Sequence, residues 1–380
     1  MTRKIRDPVM IHGSRMLVAA LCVVNACASR ARLAPAVQER PWRSYLGNVA
    51  RAGESADAPG GDPQPVWRVD IGRGVRGAPA LAEDVIAISQ VDRQVVLLDR
   101  ATGEVLWRSR LPATLGAGPI LADDRVFVAT QEDGGGVYAL RLSTGRRIWS
   151  LDVGNVVAPL ALEERALYAA TDRGVVVRLD PVTGTRLWRT VLGAPVYAAP
   201  LPVQGSVAIA TTGDSLYLLE AGSGSVLARR ATPGSVLAAP AYSGGLIVVG
   251  TMDGWLVAYD AGNLAQRWRL RADGPLVGHV AIRGRTAWAA TARGTVWAVP
   301  LDSGEVAARS FATGMVLRSG PAVTADGVLL AGASGELARF TATGRRMWSA
   351  RLDGPLSEPV IVYERSLLAV SDLGDVVLFR

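Results

Sequence analysis

The residue types that carry most enzymatic chemistry are scarce in this chain. Its 380 residues include two histidines, a single lysine (Lys4) and two cysteines (Cys22 and Cys27). These counts exclude a disulfide scaffold, a Cys- or His-rich zinc site and any mechanism built on several histidines. The titratable candidates left are Arg76, His279, Arg318 and Glu358, each beside a small-residue or proline landmark. A carboxylate near two guanidiniums makes a structural ion pair or an anion-binding patch, and the ion pair is the plainer reading. A lone His279 cannot hold a metal and reads as a hydrogen-bonded wall residue. Asp133-Gly134-Gly135-Gly136 lacks the lysine and following helix of a phosphate loop, so it reads as a hairpin turn. Gly222-Ser223-Gly224 reads as a turn in the same way. Catalysis needs titratable groups that converge. The expectation is a non-enzymatic protein with no cofactor and no metal.

The formal charge of +7 invites a polyanion partner until it is located. Residues 1–26 carry Arg3, Lys4, Arg6 and Arg15 against Asp7, so removing them leaves +4. The remainder is interspersed with acids and forms no basic stripe, which a nucleic-acid surface requires. Met16 to Ala26 is an uncharged apolar run behind that basic start, too short to span a bilayer as a helix. The pattern is that of a secretory signal. Residues 27–62, rich in Ala, Pro, Gly and charge, read as a flexible tether. The expected organisation is a signal over 1–26, a tether over 27–62 and one domain over 63–380.

The elements that position the few polar candidates emerge on comparing the chain with itself. Asp99-Arg-Ala-Thr-Gly103-Glu-Val-Leu-Trp107 returns as Arg141-Leu-Ser-Thr-Gly145-Arg-Arg-Ile-Trp149, Asp180-Pro-Val-Thr-Gly184-Thr-Arg-Leu-Trp188 and Phe340-Thr-Ala-Thr-Gly344-Arg-Arg-Met-Trp348. The tryptophan slots are Trp67, Trp107, Trp149, Trp188, Ala228, Trp268, Ala308 and Trp348, in steps of about forty residues. A proline after a small residue recurs near each unit's start, as at Pro79, Pro200 and Pro321, and His279 fills one such slot. Apolar runs such as Val126-Phe-Val-Ala-Thr130, followed by a tight turn and a second run, complete each unit. Four short antiparallel strands per unit is a propeller blade, and eight slots predict an eight-bladed all-β propeller. The last unit stops after its third strand, whereas Val66 to Ile71 is a lone tryptophan strand. Pairing the two closes the ring and removes exposed strand edges. The recurring Trp residues read as packing over the neighbouring blade, with Gly103, Gly145, Gly184 and Gly344 supplying positive φ in the turns.

This repeat resembles the pyrroloquinoline-quinone-type propeller family over residues 63–380, and most of all the outer-membrane assembly lipoproteins of the BamB type. Val24-Asn25-Ala26-Cys27 resembles a bacterial lipobox, which makes Cys27 the lipidation site; plain secretion is the alternative. Trp42 to Gly53 resembles a head found on many secreted propellers of this repeat class. The resemblance implies an envelope scaffold, anchored by lipid to the outer membrane and facing the periplasm, whose partners are the β-barrel assembly machinery or other envelope proteins. A monomeric ring is expected. In the BamB type, loops before the first strands of neighbouring central blades contact the partner through an Arg and two Asp. The corresponding stretches here, Pro195 to Ala199 and Gly234 to Ala239, carry no charge. They offer Tyr197 and Leu237 as apolar anchors, with Arg76, Arg318 and Glu358 as further contact candidates. Quinoprotein dehydrogenases share the repeat but hold their quinone between a Trp and a vicinal Cys pair, which this chain lacks. That enzyme class and a ligand-sensing periplasmic propeller are the alternatives.

Overall fold

A computed structural model describes residues 61–380 apart from Arg73, Glu83, Asp133 and Glu364. Cys27, the signal, the head and nearly all of the tether lie outside the described residues. The described chain forms eight antiparallel sheets in sequence order, seven of four strands and one, in blade two, of five. Blade one comprises Ala80–Leu81, Val85–Ser89, Gln94–Asp99 and Val105–Arg110, ordered from first strand to fourth. Blade eight takes three strands from the C-terminus and its fourth from Pro65–Asp70, which pairs with Asp375–Phe379. Backbone bonds in both directions between Gln64 and Arg380 finish this clasp. Arg68 Nε reaches the buried Asp375 at 2.8 Å across the same pair of strands.

The middle strands are apolar on both faces because each sheet is sandwiched between two others. Val95-Val96-Leu97-Leu98 is the pattern: Val95 and Leu97 face blade two beside Leu121 and Val128, and Val96 and Leu98 face blade eight beside Ile361 and Leu368. Eight such cores, one between each consecutive pair of blades, run round the ring. At roughly 25 cal/mol per Å² of apolar surface buried, these cores are the main stabilising contribution.

The tryptophans interlock the blades. Trp67, Trp107, Trp149, Trp188 and Trp268 each donate Nε1–H to a turn carbonyl of the next blade: Arg100, Leu142, Pro181, Ala221 and Leu301. Each ring lies on that turn's glycine. A methyl built on Gly184, whose φ is +74°, would sit 2.6 Å from Trp149 Cδ2. Only glycine fits there, for steric and conformational reasons at once. The aspartate opening the turn acts on the backbone: Asp99 Oδ1 accepts from the amides of Ala101 and Thr102 at 2.9 Å. These bonds hold its carboxyl below the usual carboxylate range. At the last interface the buried Trp348 Nε1 has no hydrogen-bond partner among the described residues.

Two register details differ from the sequence reading. In blade six a 3₁₀ turn, Gly304–Ala307, inserts one residue, so Arg309 pairs with Ala298 at the register that Trp268 holds opposite Ala258. The slot assigned to Ala308 therefore belongs to Arg309. Likewise Pro159, His279 and Pro359 sit one residue earlier, relative to their first strands, than Pro79, Pro200 and Pro321. The buried anchors Val156, Val196, Val236, Leu276 and Leu356, each donating its amide to a neighbouring turn, set the frame that shows this.

Candidate functional site

The loop entering each first strand contributes one residue to a rim around the channel mouth. The residue after the buried anchor is Arg76, Gly116, Val157, Tyr197, Leu237, Val277, Arg318 and Ser357 in blades one to eight. This rim has two arcs. Blades three to six supply Val157, Tyr197, Leu237 and Val277, without a charge; Tyr197 is 42% and Leu237 39% exposed, and both valines are partly exposed. Blades seven, eight and one supply Arg318, Ser357 and Arg76, with Glu358 one residue further along. The five candidates thus share one rim but not one cluster: Tyr197 and Leu237 neighbour each other, and the charged trio lies on the other arc.

Within the polar arc, Asp372 is the organising residue that sequence reading missed. It lies in the Asp372-Leu373-Gly374 turn of blade eight, where a hairpin motif accounts for its identity without a site. Its carboxylate accepts from Ser357 Oγ at 2.7 Å and from the Ser357 amide at 3.2 Å, and Arg318 Nη1 lies 4.0 Å away. Arg318 therefore faces Asp372 as its nearest carboxylate. Glu358 is half-buried; desolvation, then the charge of Asp372, push its carboxyl up to about 8, against the opposing pull of Arg76. At neutral pH Glu358 is therefore largely protonated, and Asp372 is the carboxylate that offsets Arg318.

His279 is fully buried in the channel wall, and its Nε2 lies 3.1 Å from the carbonyl of Pro321. Burial lowers its imidazole to about 4, so the ring is neutral at ordinary pH. Beside it the blades touch backbone to backbone. A methyl on Gly278 would lie 2.0 Å from the Gly320 amide, one on Gly77 2.1 Å from the Gly118 amide, and one on Gly116 1.8 Å from the Val156 carbonyl. Small residues at these positions close the inner ring, and they are there for packing.

What the site offers is therefore a surface. An apolar arc on four successive blades, anchored by one aromatic and one branched side chain and flanked by a polar arc, is suited to burying against another protein.

Comparison with known proteins agrees with this architecture. A Legionella pneumophila outer membrane protein assembly factor BamB is 27% identical over 164 residues, covering 40% of this chain and 42% of that protein. The chain thus spans less than half the length of this curated relative. A Pseudomonas putida quinohemoprotein alcohol dehydrogenase, ADH IIB, is 28% identical over 185 residues, 41% of this chain and 26% of the enzyme. The crystal structure of BamB from Moraxella catarrhalis superposes with a TM-score of 0.71 at 17% identity, over 84% of this chain and 97% of that one, a likeness of fold. The sequence profile described as outer membrane protein assembly factor BamB matches residues 55–172, 133–209, 172–319 and 293–379 in overlapping segments. Those segments run through all eight blades, and the chain belongs to the BamB family of repeat propellers.

Proposed function

We propose that this protein is a non-catalytic envelope scaffold that supports assembly and insertion of β-barrel proteins into the outer membrane, docking a partner on the apolar arc of its rim. The observation that carries this reading is the arc itself: four consecutive blades present Val157, Tyr197, Leu237 and Val277 where the other blades present arginine, serine or glycine. Family membership supplies the partner class, the outer-membrane barrel-assembly machinery. In this reading Cys27 carries the lipid, residues 28–62 form the tether and the ring faces the periplasm from the outer membrane. Completing the burial of one such side chain contributes about 1 kcal/mol or more, so two central anchors set the affinity.

The dehydrogenase relative raises a second reading, and the residues present do not fit a quinone. The inner ring is packed backbone to backbone at Gly77, Gly116 and Gly278. The two cysteines, Cys22 and Cys27, are not adjacent in sequence and lie outside the propeller. Affinity purification of the full chain from envelopes separates the readings. Barrel-assembly proteins in the eluate support the scaffold; a quinone absorbance with dye-linked dehydrogenase activity contradicts it.

A further inference from the structure

Residues 61–380 carry 32 arginines and 30 acids, so the propeller is close to charge balance. The fold does not spread these charges evenly. The outermost strands of blades three, four and five, Arg186–Val191, Val226–Ala231 and Gln266–Arg271, hold seven arginines and no acid. Blade three supplies Arg186 and Arg189, blade four Arg229 and Arg230, and blade five Arg267, Arg269 and Arg271, all of them exposed. The other five outermost strands together hold the same number of arginines against Asp70 and Asp152, and two of those arginines, Arg68 and Arg346, pair with Asp375 and Glu336.

Within the patch only Arg267 has an acid, Asp260 at 2.6 Å. Arg230 Nε donates to the Leu264 carbonyl at 3.0 Å and Arg229 Nη2 to Ser215 Oγ at 3.1 Å. Arg269 and Arg271 lie over the Trp255 ring, 5.0 and 4.9 Å from its centroid. These contacts hold the guanidiniums in place and leave their charge uncompensated. The chain spaces the three groups about forty residues apart, so no basic stripe shows in the sequence, but the bonds from Trp188 to Ala221 and from Arg230 to Leu264 put the strands side by side. The same strands expose Leu187, Val191, Val226 and Leu227, each by half or more. A patch that mixes arginine with aliphatic side chains matches a phospholipid interface: guanidiniums take phosphate oxygens bidentately, and the aliphatic groups reach the headgroup–acyl boundary. A nucleic-acid backbone would answer the arginines alone and leave the aliphatic groups unused.

We propose that the outer edge of blades three to five rests on an anionic phospholipid surface, with its arginines on the phosphates and Leu187 and Leu227 at the acyl boundary. The ring then stands on its edge, its channel axis runs along the surface, and the rim stays open to a partner. The inference rests neither on Cys27 nor on the rim.

Flotation of the envelope-purified protein with vesicles of phosphatidylcholine alone, or of equimolar phosphatidylcholine and phosphatidylglycerol, is the test. A lipid at the N-terminus would contribute to both, so the readout is the ratio of the two affinities. The wild type is expected to prefer the anionic vesicles by about a hundredfold or more at low salt. Arg189→Glu with Arg271→Glu is expected to cut that preference about tenfold or more. Arg110→Glu with Arg351→Glu, the same change of net charge on blades one and seven, is expected to cut it by less than about threefold. Leu187→Ser with Leu227→Ser is expected to weaken binding to the anionic vesicles with all arginines in place. If the first variant does not fold, Arg186→Gln with Arg189→Gln removes two charges without adding acids and is expected to weaken the preference in the same sense. No preference in the wild type, equal losses from the two charge-reversed pairs, or unchanged binding by the folded leucine variant overturns the proposal. Tight binding of duplex DNA without a vesicle preference overturns it too, by assigning the patch to a nucleic acid.

Discussion

Replacing Gly184 by alanine probes how the blades are held in register. At φ +74° an L-residue loses about 1–2 kcal/mol relative to glycine. The new methyl would also lie 2.6 Å from Trp149 Cδ2 and 2.7 Å from Cε3, so the indole has to move. Overpacking of that kind costs about 1–3 kcal/mol, giving a total of about 2–5 kcal/mol. Trp149→Ala removes a partly buried indole, its bond to Pro181 and its contact with Phe127, for about 3 kcal/mol. In the double variant the clash disappears, whereas the backbone strain stays. The two changes should therefore be non-additive, with a coupling of about 1–3 kcal/mol in favour of the pair. Equilibrium urea unfolding of the four proteins, followed by circular dichroism, measures it. Additivity to within about 0.5 kcal/mol, or a Gly184→Ala variant as stable as the parent, would refute the interlock.

Other consequences follow from the same geometry. Deleting residues 63–72 removes the clasp strand and is expected to destabilise the whole ring, so an unchanged melting temperature would contradict this closure. Arg68→Ala leaves the buried Asp375 without its guanidinium and should cost about 1–2 kcal/mol in the same urea assay. Because Glu358 titrates at about 8 in the fold, the native state holds more protons than the unfolded chain between the carboxylate range and that value. Stability falls as pH rises through this window, and Glu358→Gln should flatten the slope of melting temperature against pH. His279 works in the opposite sense: its imidazole is lowered to about 4, so stability falls as pH drops from about 6.5 towards 4. His279→Asn should flatten only that acid limb.

The fold was legible because the chain repeats one physical problem eight times. A turn that must present a glycine beneath an indole leaves Thr-Gly and Trp at fixed spacing, and a sheet buried on both faces leaves uninterrupted apolar runs such as Val95 to Leu98. The lone strand at Trp67 and the missing fourth strand at Arg380 made the closure readable as well. Register within a blade was harder to read. Counting from one tryptophan slot to the next put Ala308 where the 3₁₀ turn places Arg309, because a one-residue insertion is invisible when the motif itself has decayed. The landmark prolines misled in the same way at Pro159 and Pro359, where the buried anchor and not the proline holds the frame. Tyr197 and Leu237 were recognisable as exposed apolar residues in loops, and the structure extends them to an arc through Val157 and Val277. Asp372 was hidden by its turn motif, and its pairing with Ser357 and Arg318 depends on blades seven and eight meeting, which no local pattern encodes.

The proposed function places a docking surface on the rim. A photo-crosslinking amino acid placed at Tyr197 in the full chain, irradiated in intact envelopes and compared with the same probe at Arg76 on the polar arc, tests this most directly. The prediction is a discrete adduct with a barrel-assembly protein from position 197, reduced by Leu237→Asp and weak or absent from position 76. No adduct at 197, or equal adducts from both arcs, would contradict it.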